Sequence, residues 1–230
     1  MNIVKTNIQM TPIALNDRRV TDTDGYPRKR ARTRRLLITA GMAALAEHGP
    51  DGVTVADIAG RAKLAPGTFY NHFLSTQDLV EAICAELAGG VEIARDLLEQ
   101  VENDPAARVA LGTRQLLRMT VDDPLSARSF VSLLAGVPTF RERVRATVRD
   151  AIEAGIRSGR FVGRSPVLTT DATLGTVSQW MRSRLENEAG AETEREHLTM
   201  ILALVGLPAE DIDPVVDRVA KYAERANIDS

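Results

Sequence analysis

Apolar residues recur three and four positions apart along most of this chain, which is the period of helices that bury one face. Between Arg28 and Glu47, Leu37, Gly41 and Ala44 share one face, and Ile38, Met42 and Leu45 the next. His48-Gly49-Pro50 stops this first helix, with Gly as C-cap and Pro beyond it. Thr54 reads as the N-cap of a second helix, with Asp57 three residues on as a shortened capping box. Val55, Ile58, Ala59 and Ala62 give that helix one apolar stripe about two turns long. Lys63-Leu64-Ala65 makes a turn. Pro66 suits the first position of a third helix, where its missing N–H costs nothing. Phe69 and Phe73, at i and i+4, anchor that helix, while Tyr70 and His72 point elsewhere.

The remaining pattern is also helical. A long stripe through Val80, Ile83, Leu87, Ala94 and Leu98 runs to about Val101. Asp104-Pro105, Asp123-Pro124, Pro138, Ser165-Pro166 and Pro208 then open further segments, several closed by Gly. No stretch alternates with the period of a strand. The reading is an all-α fold of about nine or ten helices. It has a tail over 1–27, a three-helix module over 28–75 and a larger helical domain over 76–230.

Charge sharpens this division. The net charge of −2 is unevenly spread. Residues 28–75 carry eight basic groups against three acidic ones, whereas the chain beyond carries 18 against 25. A basic module on an acidic body fits a protein of which one part meets a polyanion. Six of the eight residues from Arg28 to Arg35 are basic. Cations at a helix N-terminus oppose its dipole, so Arg28, Lys29, Arg30 and Arg32 are expected to be compensated by DNA phosphates or the minor groove. Cys84 is the single cysteine; it fits a packed residue in a reducing cytoplasm better than a disulfide. His48, His72 and His197 show no metal-ligand spacing, so neither a metal nor a cofactor is expected. His48 reads as a helix C-terminal cation and His197 as a surface or interface residue. No apolar run approaches the roughly 20 residues of a membrane span.

Three short helices before a long fourth, with T-V-x-D-I-A-x-R-A-x-L-A-x-G-T-F-Y-x-H-F over Thr54–Phe73, resemble the tetracycline-repressor-like (TetR) family of bacterial transcription regulators. The resemblance covers residues 31 to about 91, and its core is the helix-turn-helix at 54–73. It implies a homodimer that binds a palindromic double-stranded DNA operator, mostly as a repressor, and that a small-molecule effector releases. Carried over by motif position, Pro66, Gly67, Thr68 and Tyr70 would face the major groove or its rim. Tyr70, His72 and Thr54 would reach phosphates, with Lys63 near the backbone. Three positions depart from the family pattern: Lys63 stands where Gly is common, Ala65 where Ser is, and Thr76 where Lys is.

In the larger domain, Arg118, Met119, Phe130, Phe140 and Trp180 are candidates to line an effector pocket, although core packing explains each of them singly. The helices at about 166–188 and 192–206 are expected to form a four-helix dimer interface. Their stripes are Leu174, Val177 and Met181, with Leu198, Ile201, Leu202 and Val205; intrachain packing would give the same stripes. An enzyme is the rival reading, but no nucleophile triad, phosphate loop or paired carboxylate site stands out. A helical interaction protein is a second rival, disfavoured by the basic module.

Overall fold

A computed structural model describes residues 25–101, 104–163, 165–186 and 193–228, with side chains described at 28–88, 104–163, 165–186 and 193–221. Among these residues the fold is all-α, with ten α-helices and one short 3-10 turn. Residues 1–24 of the expected tail lie outside the described part.

The first helix, α1, spans Gly25–His48, three residues earlier than the periodicity placed it. Pro27 is tolerated because it sits in the first turn. The basic run is therefore two turns of helix and not an extended arm. After Gly49, at φ 71°, and a 3-10 turn at Pro50–Gly52 come α2 (Val55–Ala62) and α3 (Pro66–Tyr70). α4 spans Thr76–Val101, α5 Pro105–Asp122, α6 Pro124–Gly136 and α7 Pro138–Arg157. α8 covers Pro166–Leu185, α9 Glu194–Leu204 and α10 Ala209–Ile228. The punctuation acts as its chemistry requires. Asp123 and Ser165 cap the helices that Pro124 and Pro166 open, and Thr193 with Glu196 forms a full capping box on α9.

The residues gather into two compact units, and the boundary expected at 75/76 is displaced. One unit holds 25–90 with 123–144; the other holds 91–122 with 145–228. The reason lies in α6, which packs on α1. Ser129 Oγ donates to the Met42 carbonyl and Ser132 Oγ to the Leu45 carbonyl, each at 3.0 Å. α1 and α4 also approach closely at Gly41, where a Cβ would lie 2.7 Å from the Leu79 side chain. The core of this unit includes Leu37, Ile38, Leu45, Ile58, Phe69, Leu79 and Ile83, all fully buried.

In the other unit α5, α8, α9 and α10 pack together. Leu198, Ile201, Leu202, Val205, Val215 and Val219 form its centre. Asp104 ties three elements there. It caps α5 by accepting from the Ala106 N–H at 3.0 Å, and it pairs with Arg160 at 3.2 Å and with Arg218. Arg160 reaches on to Asp211 at 2.7 Å. Burial pulls the Asp104 carboxyl upward, but Arg160 and Arg218 outweigh it and hold the group below its ordinary value.

Candidate nucleic-acid interface

The α2–α3 unit is set by its caps. Thr54 Oγ1 accepts from the Asp57 N–H at 3.2 Å. The Asp57 carboxylate does not return to Thr54, as a capping box would have it; it takes Arg61 Nε at 2.8 Å. Arg61 also holds Glu47 at 2.6 Å, pinning the end of α1 to α2. The same guanidinium keeps the Glu47 carboxyl below its usual range. His48 joins this cluster, with Nε2 3.3 Å from Arg61 Nη2 and 3.7 Å from Asp57. Its role is thus to bridge two helices beyond ending the first.

Lys63 closes α2 in the left-handed conformation, at φ 56° and ψ 42°. It is the only non-glycine residue with positive φ among the described residues. The Leu64 N–H bonds the Ala59 carbonyl at 2.9 Å and the Lys63 N–H that of Gly60 at 3.1 Å, a Schellman-type closure that glycine usually provides. The departure from family pattern at Lys63 therefore falls on a position with a backbone demand. Ala65 gives α3 no side-chain cap, and Pro66 follows at the first helical position.

α3 is short, but its burial pattern divides it sharply. Phe69 is fully buried and Phe73 nearly so, their ring centroids 5.7 Å apart. Tyr70 stands edge-on to Phe69 at 5.5 Å and is 59% exposed. Pro66 and Gly67 are exposed and Thr68 is half-buried. One face of α3 is thus fixed by two phenyl rings, and the opposite face presents small and hydroxylated groups. Thr54 and Lys63 are exposed on the flank.

The basic run converges on this face from α1. Arg28, Lys29, Arg30 and Arg32 are all exposed. Arg34, which the sequence reading did not single out, lies over the Phe73 ring, 5.1 Å from its centroid. His72 is half-buried. Its imidazole is held below its ordinary value by burial first, then by the positive charges of Arg30 and Arg34. The i, i+4 spacing puts Arg30 and Arg34 on one face of α1 but carries no mark of Phe73 or His72. The surface offers cations, hydroxyls and an exposed phenol around a short helix, a composition complementary to a phosphate-lined groove.

The other expected sites are rearranged. Phe130 and Phe140 are buried against each other, edge to face at 5.3 Å, in the unit of α1–α3. Met119 is buried and Trp180 half-buried in the other unit. Arg118 turns to Asp122 on its own helix at 2.7 Å. The five residues expected around one pocket thus fall into two units. Arg114, also on α5, is engaged by Glu194 at 2.6 Å. The expected dimer stripes are also corrected. Val177, Met181, Leu198, Ile201, Leu202 and Val205 are covered by their own chain, none more than 6% exposed, and Leu174 is half-buried. Both helices need that stripe for the core of a single protomer. His197, expected at the surface or an interface, is buried against Trp180.

Among the described residues no cluster of His, Cys, Asp and Glu could hold a metal ion, and no helix is long and apolar enough to cross a membrane. Cys84 is half-buried. Burial, then Glu81, pushes its thiol up to about 11, so thiolate chemistry is suppressed.

A helix-turn-helix of this kind joined to a second helical unit defines a class of bacterial regulators. Residues 37–83 match the family described as bacterial regulatory proteins, tetR family. Residues 104–218 match a tetracyclin repressor-like C-terminal domain. The chain belongs to the TetR family. It is 31% identical over 143 residues to the uncharacterized HTH-type transcriptional regulator Rv0767c of Mycobacterium tuberculosis, a match covering 59% of this chain and 65% of that relative. Less than two thirds of that relative's length is therefore spanned. Among solved structures, RolR in complex with resorcinol is 28% identical with a TM-score of 0.59, covering 83% of this chain and 96% of RolR. A gamma-butyrolactone receptor, ArpA-like, shares the fold at 16% identity with a TM-score of 0.67, covering 86% of this chain and 99% of the receptor.

Proposed function

We propose that this chain is a homodimeric repressor. It holds a palindromic operator with two copies of α3 and is released by a small molecule bound in the unit of α5 and α8–α10. The observation that carries the reading is the exposed face of α3, Pro66 to Tyr70, backed by buried Phe69 and flanked by the basic run of α1. In this reading Thr68 reads a base edge, and Tyr70, Thr54 and His72 hold phosphates. Family membership supports the DNA partner, and RolR, solved with resorcinol, supports a small-molecule effector. Half-buried Cys84 suits a reducing cytoplasm.

Dimerisation is assigned to α8 and α9, but through the faces they leave open. Leu168, Ala172 and Gly175 on α8 are exposed, as are Met200 and Ala203 on α9. Leu168 is 70% exposed and Met200 48%. Small residues between large apolar ones let two helix pairs approach closely. The partner on these faces is a second copy of this chain.

The test is a gel shift on genomic fragments from beside the gene, repeated across salt concentrations. Specific retention with a steep salt slope is expected for the native chain. Replacing Arg28, Lys29, Arg30 and Arg32 by Ala should weaken binding and flatten the slope by up to about four units for four lost phosphate contacts. Tyr70→Phe should weaken specific and non-specific binding alike. No retention of any fragment, or a slope unmoved by the fourfold variant, would overturn the reading.

A further inference from the structure

We infer that Arg30, Arg34 and His72 form a clamp for one DNA backbone phosphate, at the corner where α1 meets the turn after α3. The clamp rests on the reading of α1–α3 as the DNA-binding part. The basic run of α1 is not one surface. With about 3.6 residues per turn, Arg30 and Arg34 continue the buried stripe of Leu37, Gly41 and Leu45, whereas Arg28, Arg32 and Arg35 fall on the opposite face. The stripe that binds α1 to the core therefore ends in two guanidinium groups. Arg34 is exposed, and its Cζ stands 5.1 Å from the centroid of the Phe73 ring. That ring is buried and packed on Phe69, so the cation sits on a fixed apolar platform.

The corner lacks a counter-charge. Two cations four residues apart on one helix face repel each other. After burial, both also disfavour charge on the His72 imidazole. Among the described residues neither guanidinium makes a hydrogen bond or an ion pair. Burial raises the Glu86 carboxyl of α4 and Arg34 offsets part of that rise, yet the two groups make no hydrogen bond. Arg61, in the same unit, shows what an arginine engaged for structure looks like: it holds Glu47 at 2.6 Å and Asp57 at 2.8 Å. Cations that the fold gathers and leaves unpaired select an anion. A phosphate fits, because guanidinium forks grip its oxygens in pairs and the imidazole N–H adds a further donor. The corner adjoins the exposed Tyr70 at the end of α3, which makes duplex DNA the source of that phosphate.

Full-length protein is titrated into a fluorescent random-sequence duplex of about 20 base pairs, in potassium chloride from about 50 to 200 mM, and read by anisotropy. Arg34→Met keeps an apolar stem over Phe73 and removes the charge; Arg34→Gln is the second neutral variant should the first melt early. The double variant Arg30→Met/Arg34→Met is expected to lose about one unit of the slope of log K against log salt, because the two cations share one phosphate. It should bind about tenfold more weakly near 0.1 M salt. Arg34→Lys should keep the slope, since it keeps the charge. Imidazole NMR supplies a readout that packing alone does not move. In free Arg34→Met the pKa of His72 should rise toward its ordinary value, while Arg32→Met, on the opposite face, should leave it in place. A native slope in the double variant would overturn the clamp, and so would a loss of about two units, which means two separate phosphates. Displacement of the duplex by millimolar inorganic phosphate at constant ionic strength would assign the corner to the free ion and overturn the DNA assignment. A native chain that binds no duplex would instead strike the regulator reading itself.

Discussion

The Ser129 hydroxyl donates to the Met42 carbonyl at 3.0 Å, from α6 into the C-terminal part of α1. Ser129 is fully buried and its oxygen also lies 2.9 Å from the Leu125 carbonyl of its own helix. With Ser132 on Leu45, the two hydroxyls fix α6 on the helix that carries the basic run. Ser129→Ala and Ser132→Ala should each cost about 1 kcal/mol in denaturant unfolding, the usual net worth of one hydrogen bond. The double variant should lose close to the sum unless the two bonds are coupled. A double variant as stable as the native chain would show that α6 is held by apolar packing alone.

Lys63 occupies the left-handed cap that glycine fills at least cost. Lys63→Gly should raise the unfolding midpoint, by about 1 kcal/mol in free energy, because the Cβ clash of that conformation is removed. It also deletes a cation beside α3, so DNA affinity should fall while stability rises. Opposite signs in the two measurements distinguish a strained cap retained for DNA from one retained for structure. A loss of stability would mean that the Lys63 side chain has a structural role.

Most of the helices were legible because the period was supported by chemistry at their ends: Thr54, Asp123 and Ser165 cap helices where their types and spacing said they would. The α3 face was legible for the same reason, since Phe69 and Phe73 at i, i+4 force Tyr70 outward. What was not legible is pairing across long separations. The contact of Ser129 with Met42 spans 87 residues, and a serine in an amphipathic helix carries no mark of its partner. The stripes of α8 and α9 illustrate the same limit. Their apolar residues declare a buried face, but not whether the cover is the same chain or another.

Asp104 is expected to dominate the acid sensitivity of the unit of α5 and α8–α10. Its carboxyl is held below its ordinary 3.8 by Arg160 and Arg218 despite burial. A depressed carboxylate contributes stability that is complete above the unfolded value and is lost as pH falls through the folded one. Asp104→Asn should cost on the order of 2 kcal/mol at neutral pH, the scale of charge-assisted hydrogen bonds. It should also flatten the fall in melting temperature below about pH 4. An acid profile parallel to the native one would show that other carboxylates govern it.

His72 gives two pH effects of opposite sign. Its pKa in the free protein is below 6.5 because burial and the charges of Arg30 and Arg34 disfavour the imidazolium. The unfolded chain then binds more protons than the folded one between the two values, so this contribution to stability is full above about pH 6.5 and declines as pH falls. DNA reverses the balance. Phosphates at Arg30 and Arg34 would offset the charges that depress His72 and supply an acceptor for its N–H, which raises its pKa in the complex. Binding must then take up protons, and affinity should rise on acidification from about pH 7 to pH 6, even as the free protein becomes less stable. His72→Gln should flatten both trends while keeping a hydrogen-bond donor for the phosphate. Thermal melts and operator affinities measured on the two proteins over that range test this. If the affinity of the native chain falls on acidification, or the Gln variant follows it unchanged, His72 does not meet the phosphate.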